Sequence, residues 1–328
     1  MTLNLRRMYS AIATYYQSSP IAFWVRVLVV AAVVIVFLMK RSFWTPDTLF
    51  IVMLALFVVF GRARAFLKRF VPFIGLLLVY DSFRGIADNL NHYVHFQEMI
   101  DFDLFVFGGV LPTEWLQQQW WHGSVQWYDF YFYFLYTMHF VTPVILALLI
   151  WWKRDSLYWP YMWGFVLLSF AGFVTYVVFP AAPPWMAAEH GLIAPIHRIS
   201  SDIWYAMGIT NFSEVYSKLS PNEVAAVPSL HAAYPTLLTL FAGKAFGFRR
   251  LWWLWLYPAS IWLGIVYLGE HYVVDALLGA LYAYGAYRGV LAIAHWKRAG
   301  GFARMIDERA HAWGFAFGQR VRHLTMGR

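Results

Sequence analysis

Two histidines and one aspartate carry the strongest chemical signal in the chain. His231 stands in Val227-Pro228-Ser229-Leu230-His231, and His271 and Asp275 stand in His271-Tyr272-Val273-Val274-Asp275. A carboxylate four residues after a histidine falls on the same face of a helix. It can accept a hydrogen bond from one imidazole nitrogen, which fixes the tautomer and leaves the other nitrogen's lone pair outward as a nucleophile. A second histidine opposite could protonate a leaving oxygen, general acid work worth ~10²–10⁴-fold. Gly279 continues the same face at i+8 and would let a neighbouring helix approach. Pro228 suits the first turn of a helix, and the free amides of that turn, from Ser229 onward, would make an anion site beside His231. Pro235 denies the His231 carbonyl its helical partner and predicts a kink.

The elements that must position these residues are apolar. The chain has 328 residues, 61% hydrophobic and only 13% charged. A soluble domain usually carries about 25% charge, so lipid is the expected solvent. We expect an all-α integral membrane protein of about eight transmembrane helices. The apolar runs are 21–39, 48–60, 70–87, 126–152, 158–179, 225–242, 251–268 and 271–293. Between the third and fourth, His92, His95, Glu98, Asp101 and Asp103 precede a Trp- and Gln-rich stretch opened by Pro112, read as a helix lying in the interface. The expected organisation is an N-terminal pair of spans over 1–69, a catalytic core over 70–294 and a basic tail over 295–328. Arg62, Arg64, Lys68 and Arg69 read as a basic loop between the second and third spans.

The net charge of +8 is topological on this reading. With the N-terminus in the cytoplasm, the loops after spans two, four and six and the tail are the basic ones, as the positive-inside rule requires. Lys40-Arg41 alone falls on the other side. No nucleic-acid partner is expected. His231 and His271 then share one depth at the extracytoplasmic face, with Asp275 one turn deeper, and the plasma membrane is the expected location. The chain has no cysteine, which removes thiol nucleophiles and thiolate metal sites.

Pro228-Ser229-Leu230-His231 and His271-Tyr272-Val273-Val274-Asp275 resemble two signature motifs of the type-2 phosphatidic acid phosphatase superfamily. The His-Tyr-x-x-Asp form, with Phe179-Pro180-x-x-Pro183-Pro184-Trp185, is similar to the branch containing inositol phosphorylceramide synthase and, more distantly, sphingomyelin synthase. The resemblance covers roughly residues 70–293. It implies a six-helix catalytic core and a metal-independent lipid phosphotransferase without cofactor, working through a phosphohistidine. His271 would attack phosphorus, Asp275 would orient it, and His231 would protonate the departing oxygen. The donor would be a membrane phospholipid or other lipid phosphate. The acceptor would be an alcohol, inositol-like or a lipid hydroxyl, or water. Ser229, Pro228 and Tyr272 fall at the substrate in this scheme.

The departures are informative. The phosphatase branch carries a Lys-x6-Arg-Pro motif, and no Arg-Pro pair occurs here. It also carries Ser-Arg where this chain has Gly264 and Ile265. A phosphate still needs cations, and Arg84 is the first substitute, with Arg198, His190 and His197 behind it. Losing two arginines fits a diester, which carries less charge. A lipid phosphate phosphatase using water is the nearest alternative. A non-enzymatic lipid or ion transporter predicts repeats and broken midplane helices, and no repeat is present. A zinc site would be an open one, with two His and one Asp.

Overall fold

The computed structural model describes residues 20–39, 52–55, 57–58, 63–84, 90–139, 141–210 and 222–298. Regular structure among these residues is helical, with turns and loops between the helices; the only β features among them are two isolated bridges, His95 to Ala181 and Ala181 to Ala225. The long helices are α1 (Pro20–Met39), α2 (Ala63–Arg84), α5 (Trp127–Met138), α6 (Thr142–Lys153), α7 (Tyr158–Val178), α10 (Leu230–Phe246), α11 (Leu256–Tyr267) and α12 (Val273–Arg298). Four short helices lie between them: α3 (Gln97–Val106), α4 (Pro112–Trp120), α8 (Pro184–Glu189) and α9 (Ile199–Ala206). Asp155–Val178 and Val273–His295 are each long and apolar enough to cross a bilayer, and α5 with α6 would make a third span.

Three elements differ from the sequence expectation. First, Arg64, Lys68 and Arg69 belong to α2 and not to a loop. Arg and Lys are good helix formers, and the Arg69 guanidinium has a place to rest. It pairs with Asp155 at 2.9 Å and lies 5.1 Å from the ring centre of Tyr158. Second, the apolar run 126–152 is two helices bent by 52°. Pro143 stands in the first turn of α6, where its missing N–H costs nothing but ends the ladder from α5. Third, the run 251–268 opens with a 3₁₀ turn at Trp252–Trp255 before α11 begins. Pro235, by contrast, does not end α10, which continues to Phe246.

Helix α10 is the centre of the bundle. Nearly every residue from Leu230 to Ala245 is buried, so the helix is apolar on all sides, as a helix without a solvent face must be. It packs against α12 and α7. Glycine sets the closeness of two contacts. A Cβ on Gly279 of α12 would stand 2.3 Å from the Ser229 carbonyl oxygen and 3.3 Å from Ala232 Cβ. A Cβ on Gly172 of α7 would meet Leu230 at 3.2 Å. The predicted role of Gly279 is therefore seen directly: only a residue without a side chain lets the N-terminal end of α10 lie on α12.

Candidate active site

The N-terminal ends of α10 and α12 meet at one end of the bundle. Helix α12 begins at Val273, so His271 precedes it. His271 and Asp275 are thus not stacked one turn apart on a helix, as the spacing suggested. Asp275 instead turns back over the first turn. Its Oδ2 accepts the Tyr272 amide at 2.9 Å and lies 3.2 Å from His271 Nδ1. This is one half of a capping box, the third residue of the helix serving the amide before it. Both side chains are buried. The carboxylate can only accept, so His271 Nδ1 carries the proton and Nε2 holds the lone pair.

His231 approaches from α10. Its Nδ1 lies 3.2 Å from His271 Nε2. With the lone pair on His271 Nε2, the proton between the rings belongs to His231. The two helix ends are also tied through the backbone: the Ser229 amide donates to the Asp275 carbonyl oxygen at 3.0 Å. Ser229 is the cap of α10, and its Oγ accepts the Ala232 amide at 3.3 Å. Pro228 therefore stands one place before the cap, not in the first turn, and its carbonyl accepts the Tyr176 hydroxyl at 2.9 Å. The cradle expected from Ser229 onward is narrower than supposed, because the amides of Ser229, Ala232 and Ala233 are already bonded.

The remaining predicted residues are placed as follows. Tyr272 is buried among Met99, Ile100, Leu111 and Val227. The Arg198 guanidinium lies 3.9 Å over the Trp185 ring and 3.2 Å from Glu270 Oε1. Glu270 also accepts the Ser200 hydroxyl. Arg198 thus braces the turn that carries His271. His197 lies 3.8 Å from Asp202, and His190 lies against Phe96. Arg84 ends α2, and its side chain lies outside the described residues. Among the described residues, no group of three or more His, Asp or Glu side chains is spaced to hold a metal ion.

Several residues position the site in roles that the sequence did not indicate. Asp103, fully buried in α3, accepts the amides of Val273 at 2.9 Å and Val274 at 3.1 Å. It caps α12 from 170 residues away. Burial raises its carboxyl to about 6, against the two amides that lower it. Gln117 in α4 clamps the turn from the other side. It donates to the carbonyls of His197 and Tyr267 and accepts the His197 amide. The Trp185 amide donates to the Gly269 carbonyl, where φ is +80°, a conformation that favours glycine. Tyr136 and His139, at the end of α5, place their rings against His231.

A family model described as the PAP2 superfamily matches residues 99–289. The chain belongs to this superfamily. The matched region contains every residue of the His231, His271 and Asp275 cluster, together with Asp103 and Gln117, and leaves out Arg84. Three relatives agree with the branch that the motifs suggested. The chain is 31% identical over 150 residues to a phosphoinositol dihydroceramide synthase of Bacteroides thetaiotaomicron, covering 42% of this chain and 47% of that protein. It is 27% identical over 159 residues to an inositol phosphorylceramide synthase of Candida albicans, covering 44% and 32%. It is 30% identical over 124 residues to the catalytic subunit of the Saccharomyces cerevisiae inositol phosphorylceramide synthase, covering 36% and 30%. The chain thus spans less than half the length of each of these relatives. No solved structure matches the chain.

Proposed function

We propose that this PAP2-superfamily chain is a membrane lipid phosphotransferase that works through a phosphohistidine. The observation that carries the reading is the contact of His231 Nδ1 with His271 Nε2 at 3.2 Å, while His271 Nδ1 faces Asp275. In the first step, His271 Nε2 attacks phosphorus and the bond to the leaving oxygen breaks. The His231 proton passes to that oxygen, so the donor leaves as an alcohol. Asp275 steadies the imidazole as its ring gains positive charge. In the second step, the acceptor hydroxyl gives its proton to His231, its oxygen attacks phosphorus, and the P–N bond breaks. His231 is then protonated again and His271 is free.

The donor in this reading is a phosphoinositol-bearing phospholipid, and the acceptor is a ceramide-type lipid hydroxyl. The relatives' names support these classes. So does the absence of the two arginines of the phosphatase branch, since a diester presents less charge to be matched. The topology we infer has about eight spans, six of them in a catalytic core over residues 70–294, with the site at the extracytoplasmic face. The basic loops support that orientation.

The test is incubation of the full chain in membranes with labelled phosphatidylinositol, with and without ceramide, followed by mass spectrometry of the lipids. The expected product is a ceramide bearing phosphoinositol, absent with His271→Ala. Release of inositol phosphate to water at one rate, whatever the acceptor, would make the chain a lipid phosphodiester hydrolase and not a transferase.

A further inference from the structure

The ring of His231 is held by more than its partner His271. On one side, Tyr136 lies nearly parallel to it, with ring centres 4.2 Å apart and planes 20° from each other. His139 meets it edge to face, with centres 4.3 Å apart and planes at 75°. Both come from the end of α5, where the long apolar run breaks. The break itself keeps them in place. His139 Nδ1 lies 2.5 Å from the Tyr136 carbonyl oxygen, so that bond joins the two residues across the last turn of α5. Tyr136 and His139 are both buried.

On the proposed phosphotransfer reading, His231 must carry a proton when the donor leaves. An imidazolium lying on an aromatic face is attracted by the negative face of the ring. It also cannot rotate away without losing the stack. We infer that Tyr136 is a positioning residue for the general acid: its ring face seats His231 so that the acidic proton meets the leaving oxygen. Among the described residues, His271 with Asp275 behind it, His139 and Tyr136 are titratable groups that lie against His231. His139 adds a second ring beside the Tyr136 face, and the two rings together fix the orientation of His231.

General acid catalysis matters most when the leaving oxygen is a poor leaving group. This separates positioning from structure. Two donors with the same headgroup are needed: phosphatidylinositol, whose diacylglycerol oxygen is a poor leaving group unless it is protonated, and an inositol 4-nitrophenyl phosphodiester, whose 4-nitrophenolate departs without a proton. Tyr136→Leu should cut turnover of the first about 10- to 100-fold and that of the second by less than about threefold, the pattern also expected of His231→Ala. Tyr136→Phe keeps the ring face and should restore the first reaction to near the wild-type rate. Equal loss on both donors in Tyr136→Leu would make the ring a packing residue and overturn the proposal, as would unchanged turnover of phosphatidylinositol. A wild-type chain inert towards both donors would instead end the phosphotransfer reading, and the role of Tyr136 with it.

Discussion

His231 Nδ1 and His271 Nε2 face each other at 3.2 Å, from helices whose first turns are joined by the Ser229 amide and the Asp275 carbonyl. The resting site is therefore closed on itself: the lone pair that would attack phosphorus accepts the proton that would be delivered. Phosphorus must come between the two nitrogens for reaction to start. His271→Ala should abolish both turnover and the acid-labile phosphoenzyme. His231→Ala should keep a slow reaction, reduced about 10²–10⁴-fold. Trapping the phosphoenzyme with labelled donor checks both, and a phosphoenzyme in His271→Ala would place the nucleophile elsewhere.

Asp275→Asn should lower turnover by about 10²–10⁴-fold with little change in KM, by analogy with other His–Asp pairs. The amide group can present an N–H to His271 Nδ1. That would favour the tautomer with its proton on Nε2, where no attack is possible. Steady-state rates beside a thermal melt in detergent separate this from unfolding. Near-normal kcat would show that the carboxylate serves only to cap α12.

Gly279→Ala should destabilise the protein by about 1–3 kcal/mol and depress turnover, because its Cβ would meet backbone at 2.3 Å and not a movable side-chain end. Gly285→Ala is the control. No atom stands within 4 Å of a Cβ there, and alanine in a helix gains about 0.5–1 kcal/mol over glycine. Melting temperatures of the two variants should move in opposite directions.

Asp103→Asn should weaken the start of α12 by about 1–3 kcal/mol, since an amide can accept one backbone N–H but opposes the second. The same variant has a pH signature. The folded state raises this carboxyl from its ordinary range to about 6, so folding favours its protonated form. Its contribution is fully present below the unfolded value of about 4 and is lost as pH rises through about 6. The stability of the wild type relative to Asp103→Asn should therefore fall between those limits. A flat difference across that window would contradict the assignment.

Arg198→Met should lower stability more than it raises KM, because the guanidinium is occupied by Glu270 and Trp185. Removing it leaves a buried carboxylate without its cation, which is costly. Glu270→Gln in the same chain should recover part of the loss. If Arg198 instead binds donor phosphate, KM will rise sharply and the second substitution will not help.

The amino-acid sequence alone determined the apolar character of the chain and the family motifs that it carries. Long apolar runs do not depend on what they pack against, so lipid was legible from composition. The two histidines and the aspartate were legible because each sits in a short motif, and Gly279 because a helical period places it on the same face as Asp275. What only the tertiary structure decided lies between elements far apart in the chain. Asp103 caps Val273 and Val274, Gln117 clamps His197 to Tyr267, and Arg198 braces Glu270. No local spacing encodes such pairs, since a buried donor or acceptor needs some partner but the chain does not say which. The same reason explains the turn at His271. Sequence spacing treated residues 271–275 as a helix, whereas the Tyr272 amide and the Asp103 carboxylate make that segment the start of one.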